Sequence, residues 1–271
     1  MSNVFSAKRF GKYFVYDLGR AKDSFGLSLL ILGLLPSALY VLYQLFSLIG
    51  PMHSFGPSEG FQGYRAMSMI VAIFVAVAVF PVKAYGSLTD KRAGTSFLML
   101  PASTLEKWLS MVMMTCIVLP VCLGVLYLGS DLIMGLVFPK TFGQPILTDF
   151  HANLADAVEA GLDDNLSSLP LAFYLNWCFY VLAFTLGSMY FKKGKVGLTL
   201  LSLFAIVLVV LIVLSSLSLT MTQDIATWLE KINPDREKAL HSFIGGAYGV
   251  TALELAAVLS LTYVRMRTLK H

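Results

Sequence analysis

Few side chains in this sequence are equipped for chemistry, because only 13% of its 271 residues are Asp, Glu, Lys or Arg. Glu254 is the one acid deep inside an apolar run. An ionisable group at that depth is costly, so it lines a path or an interface unless it is protonated and hydrogen-bonded. Gln44, Asn176 or a backbone carbonyl would serve as the partner in the second case, whereas Lys83 sits nearer the end of its own run and is expected to snorkel. Both readings stand for Glu254. Gly245 and Gly249 lie just before it as GxxxG, a spacing that lets a neighbouring backbone approach, within the protomer or across a dimer. The second group runs from Asp90-Lys91-Arg92 through Gly94, Thr95, Phe97, Leu98 and Pro101 to Ser103-x-x-Glu106. Ser103 and Glu106 form a capping-box pattern, in which the hydroxyl and the carboxylate satisfy backbone donors reciprocally at a helix start.

Several chemistries lack their residues. Gly194-Lys195 has no upstream glycine and is followed by Val196, so the chain has no Walker loop to hydrolyse ATP. H-E-x-x-H does not occur, and His151 beside the acids of residues 149–159 is a lone histidine on a solvated face, so no metal site is expected. Gly26-Leu27-Ser28 mimics a hydrolase fragment, but His53, His151, His241 and His271 lie outside the apolar runs or at their edges, leaving no base. Cys116, Cys122 and Cys178 all fall inside runs and read as small buried apolar groups. The chain is not expected to be an enzyme or to bind a cofactor itself.

The elements that carry these residues are membrane helices. Apolar residues make up 57% of the sequence, and mean hydropathy is +0.74. Six apolar runs approach the roughly 20 residues that a helix needs to cross about 30 Å of hydrocarbon. They are 27–49, 66–88, 104–130, 171–191, 196–219 and 243–264. Lipid offers no partner to the backbone, so each run must be a helix. Pro36, Pro81 and Pro120 predict kinks at which a neighbour satisfies the freed carbonyl.

Lys8, Arg9, Lys12, Arg20, Lys22, Lys83, Lys91, Arg92, Lys107, Lys192, Lys193, Lys195, Arg265, Arg267 and Lys270 fall on one side, and far fewer bases on the other. The positive-inside rule therefore puts both termini in the cytoplasm. The net charge of +4 is absorbed by this topology and needs no nucleic-acid partner. Residues 3–22 read as an interfacial amphipathic helix with Ala7, Phe10, Phe14, Leu18 and Ala21 on one stripe. Residues 139–170 and 220–242 read as outer loops. In the first, Thr148 is placed to cap a helix; in the second, Trp228 suits the interface and Asn233-Pro234 makes a break. The expected fold is an all-α polytopic membrane protein with a single transmembrane domain, 1–271.

The run Arg92-x-Gly94-Thr95…Leu100-Pro101-x-Ser103…Glu106-Lys107, between spans two and three of a six-span chain, resembles the permease subunits of export-type ABC transporters. The resemblance implies that Asp90 to Ser103 is a coupling element docking a separate cytoplasmic ATPase subunit, and that residues 3–22 are the elbow helix. It implies a homodimer, or a pair with a related permease subunit, in a bacterial cytoplasmic (inner) membrane, with ATP and magnesium on the ATPase. Residues 139–170 are larger than this family usually has there. A non-transporting scaffold or regulatory subunit, and an ion-coupled carrier centred on Glu254, are the alternatives; no inverted repeat supports the carrier.

Overall fold

The computed structural model describes residues 5–49, 59–89, 100–148, 169–210, 212 and 236–268. Within them every regular element is helical. Helix α1 is Ala7–Gly33, α2 is Leu35–Ile49, and α3 is Glu59–Tyr85, continued by a 3-10 turn at Gly86–Thr89. Helix α4 is Thr104–Met113 and α5 is Leu119–Val137, joined without a break by a π-helical stretch at Met114–Val118. Helices α6 (Leu169–Tyr190), α7 (Lys195–Val210) and α8 (Arg236–Thr268) complete the chain. Four helices are long and apolar enough to cross a membrane: Gly63–Leu88, Thr104–Val137, Pro170–Tyr190 and Tyr248–Thr268. Helices α1 and α2 qualify together as a fifth, bent by 47°. Helix α7 is a shorter apolar helix, about 24 Å long over its described residues.

The core lies where α3 packs on α1 and α6, and where α1 packs on α5. Phe25, Phe80, Met111, Met114, Val181 and Leu182 are buried there. Helix α8 packs on α6 and α4 and leaves the rest of its surface outward.

Several expected boundaries change. The amphipathic helix does not stop at Lys22 ahead of a separate span from Leu27. One helix runs unbroken from Ala7 to Gly33, and the bend falls at Leu34. Gly33 sits so close to α5 that a Cβ there would come within 2.4 Å of the Cβ of Leu126, and Ser130 donates a 2.7 Å hydrogen bond to its carbonyl. The buried stripe of α1 is Tyr13, Asp17, Ala21 and Phe25 rather than Ala7 to Ala21 by way of Leu18, which is exposed. The face turns because Asp17, polar by composition, finds buried partners.

Helix α3 begins seven residues before the expected Ala66, and α5 continues seven residues past Ser130. The cause is Arg65 and Asp131, charges that neutralise each other inside the protein. Helix α8 likewise extends back to Arg236, into the stretch read as an outer loop.

The three expected proline kinks turn out differently, and Pro81 stands inside α3, which runs unbroken from Glu59 to Tyr85. Pro36 stands in the first turn of α2, just past the bend. Pro120 stands in the first turn of α5, just after the π stretch, and has no N–H to return to the preceding turn. Tyr174 and Trp177, one turn apart on α6, donate instead to the carbonyls of Cys116 (3.1 Å) and Thr115 (3.4 Å).

Candidate functional site

The residues read as a docking element divide in two. Asp90, Lys91, Arg92, Gly94, Thr95, Phe97 and Leu98 lie outside the described residues. Pro101, Ser103 and Glu106 frame the far side of that segment. Pro101 is exposed at the turn that precedes α4.

The capping box forms. The backbone N–H of Glu106 donates to the Ser103 hydroxyl (3.3 Å), and the Glu106 carboxylate accepts from the Ser103 N–H (2.8 Å). The carboxylate does more than cap. It accepts from the backbone N–H of Ser6 at 2.9 Å and from the Arg9 guanidinium through Nε and Nη2 at 2.8–3.1 Å. Glu106 is 0% exposed while Arg9 keeps one face in solvent. One buried carboxylate thus fastens the start of α1 to the first turn of α4. A charge-assisted fork of this kind fixes orientation as well as distance.

A second buried acid lies two turns further along α1. Asp17 is 1% exposed and accepts from the Tyr85 hydroxyl at the end of α3 (3.0 Å) and the Ser110 hydroxyl on α4 (2.9 Å). Arg20 stands 3.5 Å from its other oxygen, reaches over the Tyr85 ring and donates to the Ala84 carbonyl at 2.8 Å. Lys195, at the start of α7, donates to the carbonyl of Gly86. Trp108 on α4 donates to Thr262 on α8 (3.1 Å), and Arg265 on α8 donates to the Met189 carbonyl at the end of α6. The helix ends on both sides of segment 90–99 are therefore tied to α1, α7 and α8 by polar contacts at one end of the bundle.

The opposite end has its own lock. Arg65 and Asp131, each 1% exposed, pair through two N–H···O contacts of 3.0 and 2.9 Å. Arg65 also donates to the Gln144 carbonyl (2.7 Å) and covers the Phe142 ring, and Asp131 accepts the Ile146 N–H (2.7 Å). This pair fixes the entry to α3, the exit of α5 and the start of the following loop. Of that loop's expected features, Thr148 donates to the Pro145 carbonyl, and His151 lies outside the described residues. Trp228 and Asn233-Pro234 also lie outside them.

Neither Glu254 nor the GxxxG glycines join any of these clusters. Glu254 is exposed on α8 and makes no hydrogen bond or ion pair with a described residue. Its expected partners are engaged elsewhere: Gln44 with Tyr40, Asn176 with the Ala172 carbonyl, and Lys83 with Ser28. A Cβ at Gly245 or Gly249 would meet nothing within 4 Å, so no described helix of the protomer uses that approach. Close approach instead occurs at Gly33 and at Gly187, where a Cβ would fall 2.0 Å from the Thr199 hydroxyl.

A small apolar cavity of about 170 Å³ lies beside the π stretch between α3, α5 and α6, bounded by Met69, Ile73, Pro120, Phe173 and Trp177. No group of three His, Cys, Asp or Glu side chains suited to a metal is found among the described residues. The chain matches no protein-family model, no curated protein and no solved structure.

Proposed function

We propose that this chain is the membrane subunit of an ABC-type exporter. It spans the membrane six times with both termini in the cytoplasm, and segment 90–101 docks a separate ATPase. The observation that carries this reading is the Glu106 carboxylate. A single residue at the exit of the segment holds Ser103, Ser6 and Arg9 together, so a force applied to the segment reaches α4 and α1 at once. Asp17 passes the same displacement to the end of α3 through Tyr85. A short segment between two helices braced in this way suits the transmission of motion from a soluble partner better than a plain connecting loop does.

In this mechanism ATP and magnesium are held by the partner ATPases. Their closure pushes segment 90–101, and α1, α3 and α4 tilt as a braced group to switch access to the path. The path lies between two membrane subunits, either two copies or this chain with a related permease. The outward Glu254 supports such pairing, because a carboxyl at mid-span depth needs cover from lipid. The same position gives no support to a carrier with a buried proton site at Glu254. The expected location is the bacterial cytoplasmic membrane. The test is purification of the full chain in mild detergent: a Walker-motif ATPase should co-purify with it, and its consistent absence would overturn the reading.

A further inference from the structure

We propose that the groove along α1 binds an anionic phospholipid of the surrounding bilayer, with one acyl chain in the groove and the phosphate on the amine of Lys22. The groove is open on one side and offers about 520 Å³ between α1, α3 and the π stretch with the start of α5. This lies inside the range of roughly 300–1,000 Å³ typical of small-molecule sites. Phe25, Leu29, Phe80, Met114, Val118 and Leu119 form its walls. Gly19 and Gly26, seven residues apart on α1, line it without side chains, and a Cβ at Gly19 would meet nothing within 4 Å. From Val15 to Leu29 the groove follows about 21 Å of helix. Below Lys22 the groove runs about 10 Å to Leu29, some two-thirds of the ~15 Å of hydrocarbon in one leaflet, so it holds the upper part of an extended acyl chain.

Charge decides which lipid. Lys22 lines the groove, is exposed and makes no hydrogen bond or ion pair with a described residue. Its aliphatic stem lies over Gly26, 3.4 Å from where a Cβ would be. Lys8 and Lys12 stand on the same face of α1, since positions 8, 12, 15, 19, 22 and 26 alternate four- and three-residue steps. Both are exposed and equally without partners among the described residues. Asp23, the neighbouring acid, is turned away by about 100° of helix rotation. The Lys22 amine beside an apolar groove suits a phosphate carrying a hydrocarbon chain, and Lys12 and Lys8, about 15 and 21 Å back along the helix, add positive potential at longer range. A zwitterionic lipid brings its own cation beside its phosphate and so adds no net counter-charge, and a peptide would bring unpaired backbone groups into hydrocarbon. The inference rests only on the membrane-spanning character of the helices and is independent of any ATPase partner.

Native mass spectrometry of the full chain in mild detergent tests it, with phosphatidylglycerol or phosphatidylcholine of identical acyl chains added. The wild type should retain one phosphatidylglycerol in preference to phosphatidylcholine. The double substitution Gly19→Leu/Gly26→Leu fills the groove and keeps the amines, and should abolish retention of both lipids. Lys22→Gln keeps the groove and should reduce the preference roughly fivefold, the worth of one lysine at an anionic surface. Equal retention of the two lipids by the wild type, or unchanged phosphatidylglycerol retention in the filled variant, overturns the proposal. Should the filled variant fail to fold, an undiminished preference in Lys22→Gln overturns it alone.

Discussion

Removing Arg9 should harm the protein more than neutralising its partner Glu106. In Arg9→Ala the Glu106 carboxylate keeps its charge and loses the guanidinium contacts at 2.8–3.1 Å. It keeps the backbone donors of Ser6 and Ser103, the second of which belongs to the capping box. Stripping one partner from a fully buried pair costs about 3–5 kcal/mol; Arg9 is about a third exposed, so water screens the vacated site and the loss lies well below that range. Glu106→Gln instead keeps an acceptor that serves in a capping box and removes the charge that needed compensation. Its cost is the difference between a charge-assisted and a neutral hydrogen bond, about 1–1.5 kcal/mol. Joined to Arg9→Ala, the same Gln should cost less than the two single changes added together, because Gln needs no counter-charge. Thermal unfolding in detergent measures the order. Amide exchange over residues 10–16 shows whether the start of α1 has detached from α4. An Arg9→Ala variant no worse than Glu106→Gln, with unchanged exchange, would refute the reasoning.

Other perturbations follow from the packing. Arg65→Ala should cost about 3–5 kcal/mol by leaving Asp131 buried without a counter-charge, and Arg65→Met/Asp131→Leu should regain most of it in the same unfolding assay. Gly33→Ala should cost about 1–3 kcal/mol, because its Cβ meets that of Leu126 at 2.4 Å; a neutral result would contradict the close approach of α1 and α5. Tyr174→Phe should cost about 1–3 kcal/mol by orphaning the Cys116 carbonyl, and less in a Pro120→Ala background, where a backbone N–H is restored.

The sequence conveys what is local. Ser103 and Glu106 are three residues apart, and their capping geometry follows from helix geometry alone. The apolar runs mark the helices because hydrocarbon admits little else. Helix limits were obscured wherever a charge was buried with a distant partner. Arg65 and Asp131 each looked like a span end, yet their pairing across 66 positions lets both helices continue. Their equivalent depths in an antiparallel pair of spans were the available clue. Asp17 hid the true face of α1 for the same reason, since Tyr85 and Ser110 are 68 and 93 positions away. The second role of Glu106 depends on Arg9 and could not be read from a motif. Glycine spacing also misled: GxxxG at Gly245 and Gly249 faces outward, while the glycines that admit a neighbour, Gly33 and Gly187, sit in no such pattern.

The central claim is that segment 90–101 docks an ATPase and that Glu106 passes its motion onward. The most direct measurement is co-purification of the ATPase with the full chain carrying Phe97→Glu and Leu98→Glu, beside the wild type, with thermal unfolding as the folding control. The account predicts that the ATPase accompanies the wild type and is lost from the variant while the variant unfolds at the same temperature. Equal recovery of the ATPase with both chains, or no ATPase with either, would contradict it.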